Sequence, residues 1–442
     1  MDMTQILPQF GGAAFTIIAF VVALSIIVAI HEYGHYIVGR WTGIYAEVFS
    51  LGIGPVLFSR ADKHGTRWQI AALPFGGYVK FLGDANVASV GATDDAKTER
   101  NTMAGAPLWA RSATVVAGPL FNFALSILIF ATVMVFDGRA SDPLTMDEVR
   151  ALPDSYTMEL EQGDEILSIG GQDTPALADF DGFIDSLPIE PTLEYRVLRD
   201  GQDITVRALY PYPAMVLALN PQSAAFDIDM KIGDVITAIN GAPIFAFSQL
   251  QEAVAASEGR PLLATVWRSG EMIDFTLAPR SGDRPMPEGG FETRYRIGVT
   301  GGLFFEAQTE SVGPVTALWS GVKQVWFIIK SSLSGLWHMI TGAISSCNLS
   351  GPIGIAQTSG AMASQGASSF IWFVAVLSTA VGLLNLLPVP VLDGGHLMFH
   401  AYEAVTGKMP SNTALRILMA VGLSLILSLM VFAIANDLFL CP

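Results

Sequence analysis

Hydrophobic and polar positions divide this 442-residue chain into two kinds of pattern. The first is continuous. Residues 13–30 (AAFTIIAFVVALSIIVAI), 112–136, 370–392 and 417–435 are apolar runs long enough to cross about 30 Å of hydrocarbon. They predict four transmembrane helices. A fifth stretch, 312–340, carries Lys323, Lys330 and His338, while Val315, Leu318, Trp319, Val322, Val325, Trp326 and Ile329 recur at helical spacing. That pattern predicts an amphipathic helix lying on the membrane surface. A fifth span is the alternative, and the charges weigh against it.

The second pattern fills the interval between the second and third runs. Short alternating segments are bounded there by Gly, Asp and Asn, and they occur twice. EQGDEILSIGGQDTPALADF at 161–180 parallels KIGDVITAINGAPIFAFSQL at 231–250, and VLRDG at 197–201 parallels VWRSG at 266–270. Repetition at this period means two copies of one small domain. Each copy reads as a Gly-Asp turn, a strand, a tight turn, a helix and a strand pair closed by Arg-x-Gly. The pattern GDxIxxIxG in both copies looks like a tandem of α/β PDZ-like domains. Such domains bind extended peptides, including peptide C-termini, by adding a strand to a sheet edge. The plainer reading makes them spacers or steric filters.

Composition agrees with a membrane protein that also has soluble mass. Charged residues make up 14% of the chain, where a soluble chain has about 25%. The net charge of −16 is concentrated: residues 137–296 hold 27 acidic and 12 basic side chains. An acidic domain excludes nucleic acid as a partner, since that surface needs basic faces. Basic residues set the orientation. Segment 39–111 holds Arg40, Arg60, Lys63, Arg67, Lys80, Lys97, Arg100 and Arg111, and the turn between the last two spans holds Lys408 and Arg416. Residues 1–12 and 436–442 hold none. Loop 39–111 is therefore expected in the cytoplasm. Both termini and the PDZ-like pair are expected on the other side, the periplasm if the membrane is a bacterial inner membrane. The first run lacks a basic flank and a small-residue cleavage site, so it reads as a retained helix. Two cysteines, Cys347 and Cys441, are too few for a disulfide framework. This topology places both on the outer side, where a bond between them can form.

Candidate chemistry lies where the first run ends, in VAIHEYGHYIV at 28–38. Ionisable groups at membrane depth cost several kcal/mol unless they are used. His31 and His35 are four residues apart and share a helix face, so both can reach one ion. With Glu32 they form H-E-x-x-H, two zinc ligands and a general base. A catalytic zinc needs a third protein ligand and an open position. Asp393 is the acidic residue beside the third span, at the same expected depth, and Pro388 and Pro390 interrupt the helix just before it. His396 and His400 are rivals at the same helical spacing. They are neutral and compensate the charge of an ion less well than a carboxylate.

HEYGH, LDGG at 392–395 and tandem PDZ-like repeats between spans two and three resemble the site-2 protease family of intramembrane zinc metalloproteases (family M50), in particular its regulator-of-sigma-E protease branch. The resemblance implies one Zn2+ per chain, held by His31, His35 and Asp393, with Glu32 as the catalytic base. It implies transmembrane proteins as substrates, of the anti-sigma-factor type, cut after their outer domain has been trimmed. GPLFN at 118–122 resembles the family's Gly-x-x-x-Asn element, and ALPFGGYVKFLGD at 72–84 its membrane-associated β-hairpin. Asn122, Asn385 and the hairpin residues Phe75, Gly76, Gly77 and Tyr78 are the implied substrate contacts. Ala380 stands where some relatives carry a second asparagine. The expected division is 1–136, spans one and two with the hairpin loop; 137–209 and 210–285, the PDZ-like domains; 286–365, a connector with the surface helix; and 366–442, the last two spans. Membrane lipid is a further partner. A PDZ scaffold without activity and a metal-ion carrier are the competing functions. The Glu beside His31 fits neither.

Overall fold

The computed structural model describes residues 7–83, 99–285 and 291–440. The chain divides into two compact units. One comprises Met1–Val133, Pro314–Ile340 and Leu349–Pro442; the other comprises Met134–Gly313 and Thr341–Asn348. In chain order the helices are α1 (Leu7–Trp41), α2 (Leu108–Asp137), α3 (Phe180–Ser186), α4 (Ala224–Asp227), α5 (Phe247–Ala256), α6 (Pro314–Ile340), α7 (Pro352–Ser364), α8 (Ala367–Leu386), α9 (Asp393–Thr406) and α10 (Asn412–Ala435).

Among the described residues, four helical stretches are long and apolar enough to cross a membrane: Gly12–Trp41, Leu108–Asp137, Ala367–Leu386 and Asn412–Phe439. Small residues let them approach. Gly34 lies where α1 meets α2, and a Cβ there would come 2.6 Å from the Ala117 carbonyl oxygen. Ser126 of α2 donates to the Ala375 carbonyl at 2.8 Å, and Ser378 of α8 donates to the Asn122 carbonyl at 3.0 Å. These bonds satisfy buried hydroxyls and strap α2 to α8. α6 packs Val325 against Phe130 and Ala375, with Gly321 against Ile127 of α2, and leaves Trp319, Trp326 and Trp337 exposed.

The connector expected over 286–365 needs correction. It contains α7, whose Gly354, Ser359, Gly360 and Ala361 are buried. A side chain on Gly360 would run into Thr16 of α1. The Asp437 carboxylate accepts from the backbone N–H groups of Gly351 and Gly354 at 2.8 and 3.0 Å, satisfying donors that a helix start leaves open. The same interval begins with strands that belong to the repeats. The pairing weighed for Cys347 and Cys441 involves a residue outside the described ones.

Between α1 and α2, β1 (Ala46–Ala61) and β2 (Arg67–Phe81) form a two-stranded antiparallel sheet. It is longer than the 72–84 hairpin expected, because the run after α1 also extends. Both strands bend, so that Phe49 lies opposite Val79 on one side and Trp68 on the other. Tyr36 of α1 meets Phe49 and Trp68 edge-on at 5.8 and 5.1 Å, which docks the sheet on the helix. Ile53, Val56, Leu57, Phe58, Ile70 and Leu73 remain exposed.

In the other unit the repeats fold alike. Strands 165–169, 193–199 and 202–208 with the short 172–173 make one four-stranded sheet, and 235–239, 262–268, 271–277 and 242–243 make the other in the same order. The recurring Gly-Asp and Arg-x-Gly elements meet in space. Asp164 is fully buried and takes two bonds of 2.7 Å from Arg199; Asp234 takes 2.7 and 2.6 Å bonds from Arg268. Each carboxylate also accepts a backbone N–H three residues earlier, from Glu161 and Lys231. A buried charge is tolerated when it is paired and bonded in this way.

Later chain completes both repeats, so the boundary expected at 285 falls too early. Val299–Thr300 pairs with Ala218–Leu219, Phe305–Ala307 with Met146–Val149, and Thr309–Glu310 with Arg139–Ala140. Phe304 and Phe305 enter the core of the first repeat, and Ile297 enters that of the second. These strands are two or three residues long, too short to show a period in the sequence.

Candidate metal centre

α1 runs unbroken through His31 and His35 and presents both from one face. His35 Nδ1 lies 2.8 Å from the Thr114 carbonyl of α2. A carbonyl only accepts, so Nδ1 carries a proton, and in the neutral, metal-binding form of the ring Nε2 carries the lone pair. His31 Nδ1 lies 3.2 Å from the side-chain amide of Asn122, also on α2. Gly118, one turn before Asn122, faces both rings. A Cβ there would collide with His35 Nε2 and come 2.8 Å from His31 Nε2.

Asp393 reaches the same point from the first turn of α9, where the helix dipole favours a carboxylate. α8 stops at Leu386, and Pro388 and Pro390 keep it from continuing. The chain then folds back tightly. Side chains on Gly394 or Gly395 would strike the carbonyls of Leu386, Leu387 and Val389. Farther along α9, Glu403 receives 3.0 and 2.7 Å bonds from Arg111 of α2, a largely buried bidentate pair that ties the two helices together.

The three donor atoms converge. Asp393 Oδ2 lies 3.1 Å from His31 Nε2 and 3.5 Å from His35 Nε2, and the two Nε2 atoms are 3.2 Å apart. A tetrahedral zinc with bonds of about 2.0–2.2 Å places its donors roughly 3.3–3.6 Å from one another. Asp393 Oδ2 is buried against these two ring nitrogens. The His35 lone pair and this carboxylate oxygen are both acceptors, so a shared cation resolves their meeting. Two imidazoles and a carboxylate also leave the fourth position open, as a catalytic zinc requires. The residues fit the metal.

The other expected residues are placed as follows. Glu32 is half-buried beside the histidines. The β2 strand passes it closely: a Cβ on Gly77 would come 2.9 Å from Val28 and 3.1 Å from the Glu32 side chain. Gly76 takes φ +122°, a conformation that suits glycine. Tyr78 is 40% exposed, and its hydroxyl accepts from Gln69 at 3.1 Å. The side chain of Phe75 is not among those described. Asn385 is half-buried in the last turn of α8. Asn122 is 0% exposed, which leaves it no surface with which to meet a substrate. The rival histidines are elsewhere: His396 is exposed beside Phe399, and His400 lies 3.1 Å from the Ser112 hydroxyl. Among the described residues, the group able to hold a metal is His31, His35 and Asp393.

Residues 19–429 match the family model described as Peptidase family M50. A protein of Rhizobium meliloti (strain 1021) that carries the name of a zinc metalloprotease is 35% identical over 436 residues, spanning 96% of this chain and 96% of its own length. A similarly named protein of Agrobacterium fabrum (strain C58 / ATCC 33970) is 33% identical over 445 residues, 99% of each chain. The Regulator of sigma-E protease of Salmonella typhimurium (strain 14028s / SGSC 2262) is 30% identical over 448 residues, 95% of this chain and 97% of its own.

Proposed function

The chain belongs to peptidase family M50, and on that premise we propose that it cuts a peptide bond inside the membrane-spanning helix of single-span proteins. It is a zinc metalloprotease with four apolar helices long enough to cross a membrane. The observation that carries the finer reading is the convergence of His31, His35 and Asp393, with Glu32 alongside, within that set of apolar helices.

His31, His35 and Asp393 would hold the metal. When bound, zinc supplies Lewis acidity to the scissile carbonyl and acidifies water. Glu32 accepts the proton from the attacking water and returns it to the leaving amine. A substrate helix must unwind before it is cut, since its backbone is bonded internally. Gly76, Gly77 and Tyr78 offer strand backbone beside Glu32 for the freed segment to pair with. The close approach of Gly77 to Glu32 supports that placement, and Asn385 is suited to bonding released peptide groups. The exposed apolar side chains of β1 and β2 support immersion of this sheet in lipid.

The basic residues of loop 39–111 support a cytoplasmic position for the loop, with repeats and termini in the periplasm of a bacterial inner membrane. We read 1–136 and 366–442 as the catalytic membrane part and the two repeats as PDZ-like domains, the stretch after residue 290 included. They would exclude substrates that retain a bulky outer domain; a peptide C-terminus bound by one of them is the second reading.

Glu32→Gln tests the proposal. The purified variant is expected to keep one zinc per chain and to lose cleavage of a single-span substrate by about 100-fold or more, the range of general acid–base catalysis. Undiminished cleavage would remove Glu32 from the reaction. A scaffold or a metal carrier would be indifferent to the change.

A further inference from the structure

We infer that Asn122 is a positioning residue for the metal centre: its side-chain carbonyl accepts the Nδ1 proton of His31 and so holds Nε2 as the ligating nitrogen. The inference rests on the zinc reading above and extends it to a residue outside the ligand set.

Asn122 is fully buried. Its side-chain nitrogen lies 3.2 Å from His31 Nδ1, while Oδ1 is buried without a hydrogen-bond partner. The oxygen and nitrogen of an amide are assigned from their surroundings. Either assignment leaves one amide atom unpaired, so His31 makes the choice. With nitrogen inward, His31 must offer a lone pair at Nδ1 and carry its proton on Nε2, aimed at Asp393 Oδ2 3.1 Å away. That tautomer cannot ligate through Nε2. With oxygen inward, Nδ1 donates and Nε2 is free to bind the ion. His35 already has this arrangement, its Nδ1 proton held by the Thr114 carbonyl. Metal-binding histidines commonly donate their second nitrogen to a carbonyl or carboxylate that fixes the tautomer.

The backbone holds Asn122 in place for this task. Its carbonyl accepts the Ser378 hydroxyl at 3.0 Å, and the Ser126 hydroxyl, whose shorter bond goes to Ala375, lies at the same distance. Gly118, one turn earlier, leaves the space into which both Nε2 atoms point. The Gly-x-x-x-Asn spacing therefore serves the ligands twice, by making room for one side of the rings and bonding another.

Asn122→Asp and Asn122→Leu separate this role from simple packing. Aspartate keeps an acceptor and gives up the donor; leucine keeps neither. Zinc affinity of the full-length protein in detergent, measured by competition with a chelator of known strength, needs no turnover. Asn122→Asp is expected to stay within a few-fold of the parent, and Asn122→Leu to bind about 10–100-fold more weakly. Equal affinity of Asn122→Leu and parent would overturn the inference. So would an Asn122→Asp protein that binds zinc about 10-fold or more weakly than the parent, and this arm stands even if the leucine variant does not fold. His35→Ala guards the premise. If the parent binds no zinc, or loses none with His35→Ala, the metal site itself is wrong; if it does and only the Asn122 variants misbehave, this inference alone fails.

Discussion

At the scale of single residues, the centre depends as much on absent side chains as on ligands. Gly118 faces both imidazoles, and no rotamer can move a Cβ out of their way. Gly118→Ala is expected to lower zinc affinity by about 100-fold or more, beyond the usual effect of losing an outer-shell bond, while the apoprotein stays folded. Chelator competition against parent and variant checks this, and unchanged affinity would show that α2 can shift. His31, His35, Glu32 and Asp393 were legible as a set in the sequence because a four-residue helical spacing and a lone carboxylate beside an apolar run are local signals. Asn122 was not. Its contact with His31 spans 91 positions and exists only once α1 and α2 have packed, so no local signal points to it.

At the scale of elements, Asp393 is brought to the histidines by a helix that must be held at both ends. Its start is held by the fold-back at Gly394 and Gly395, and its body by Arg111 and Glu403. Removing one partner of a buried pair leaves an uncompensated charge and costs about 3–5 kcal/mol. Glu403→Leu is expected to destabilise the protein by that order and to weaken zinc binding, whereas the double variant Arg111→Met with Glu403→Leu recovers most of both. Thermal unfolding in detergent with and without zinc reads the two effects. A double variant no better than the single one would mean that the pair specifies the position of α9 and not merely its stability. The elements themselves were unevenly legible. Long apolar helices announce themselves by composition, but α7, rich in Gly, Ala and Ser, has little amphipathic contrast, and its burial follows from a close approach to α1 that no period encodes.

At the scale of the whole molecule, the repeat unit is inserted between α2 and α6 with its entry and exit strands paired side by side, Arg139–Ala140 against Thr309–Glu310. It can therefore be excised across a short gap. A chain in which a flexible linker replaces residues 141–307 is expected to cut substrates that still carry a folded outer domain, and the intact protein is expected to reject them. Loss of cutting on trimmed and untrimmed substrates alike would instead assign the repeats to recognition. The duplication was plain in the sequence, because Gly-Asp and Arg-x-Gly recur at one period and meet as Asp164 with Arg199 and Asp234 with Arg268.

The strands that close the repeats are nested like brackets, 139–140 with 309–310, 146–149 with 305–307, and 218–219 with 299–300. A ribosome delivers the opening brackets long before the closing ones. The half synthesised first is thus sealed after the half synthesised second, and a nascent chain halted near residue 285 holds both four-stranded sheets while strands 139–140, 146–149 and 218–219 still await their partners.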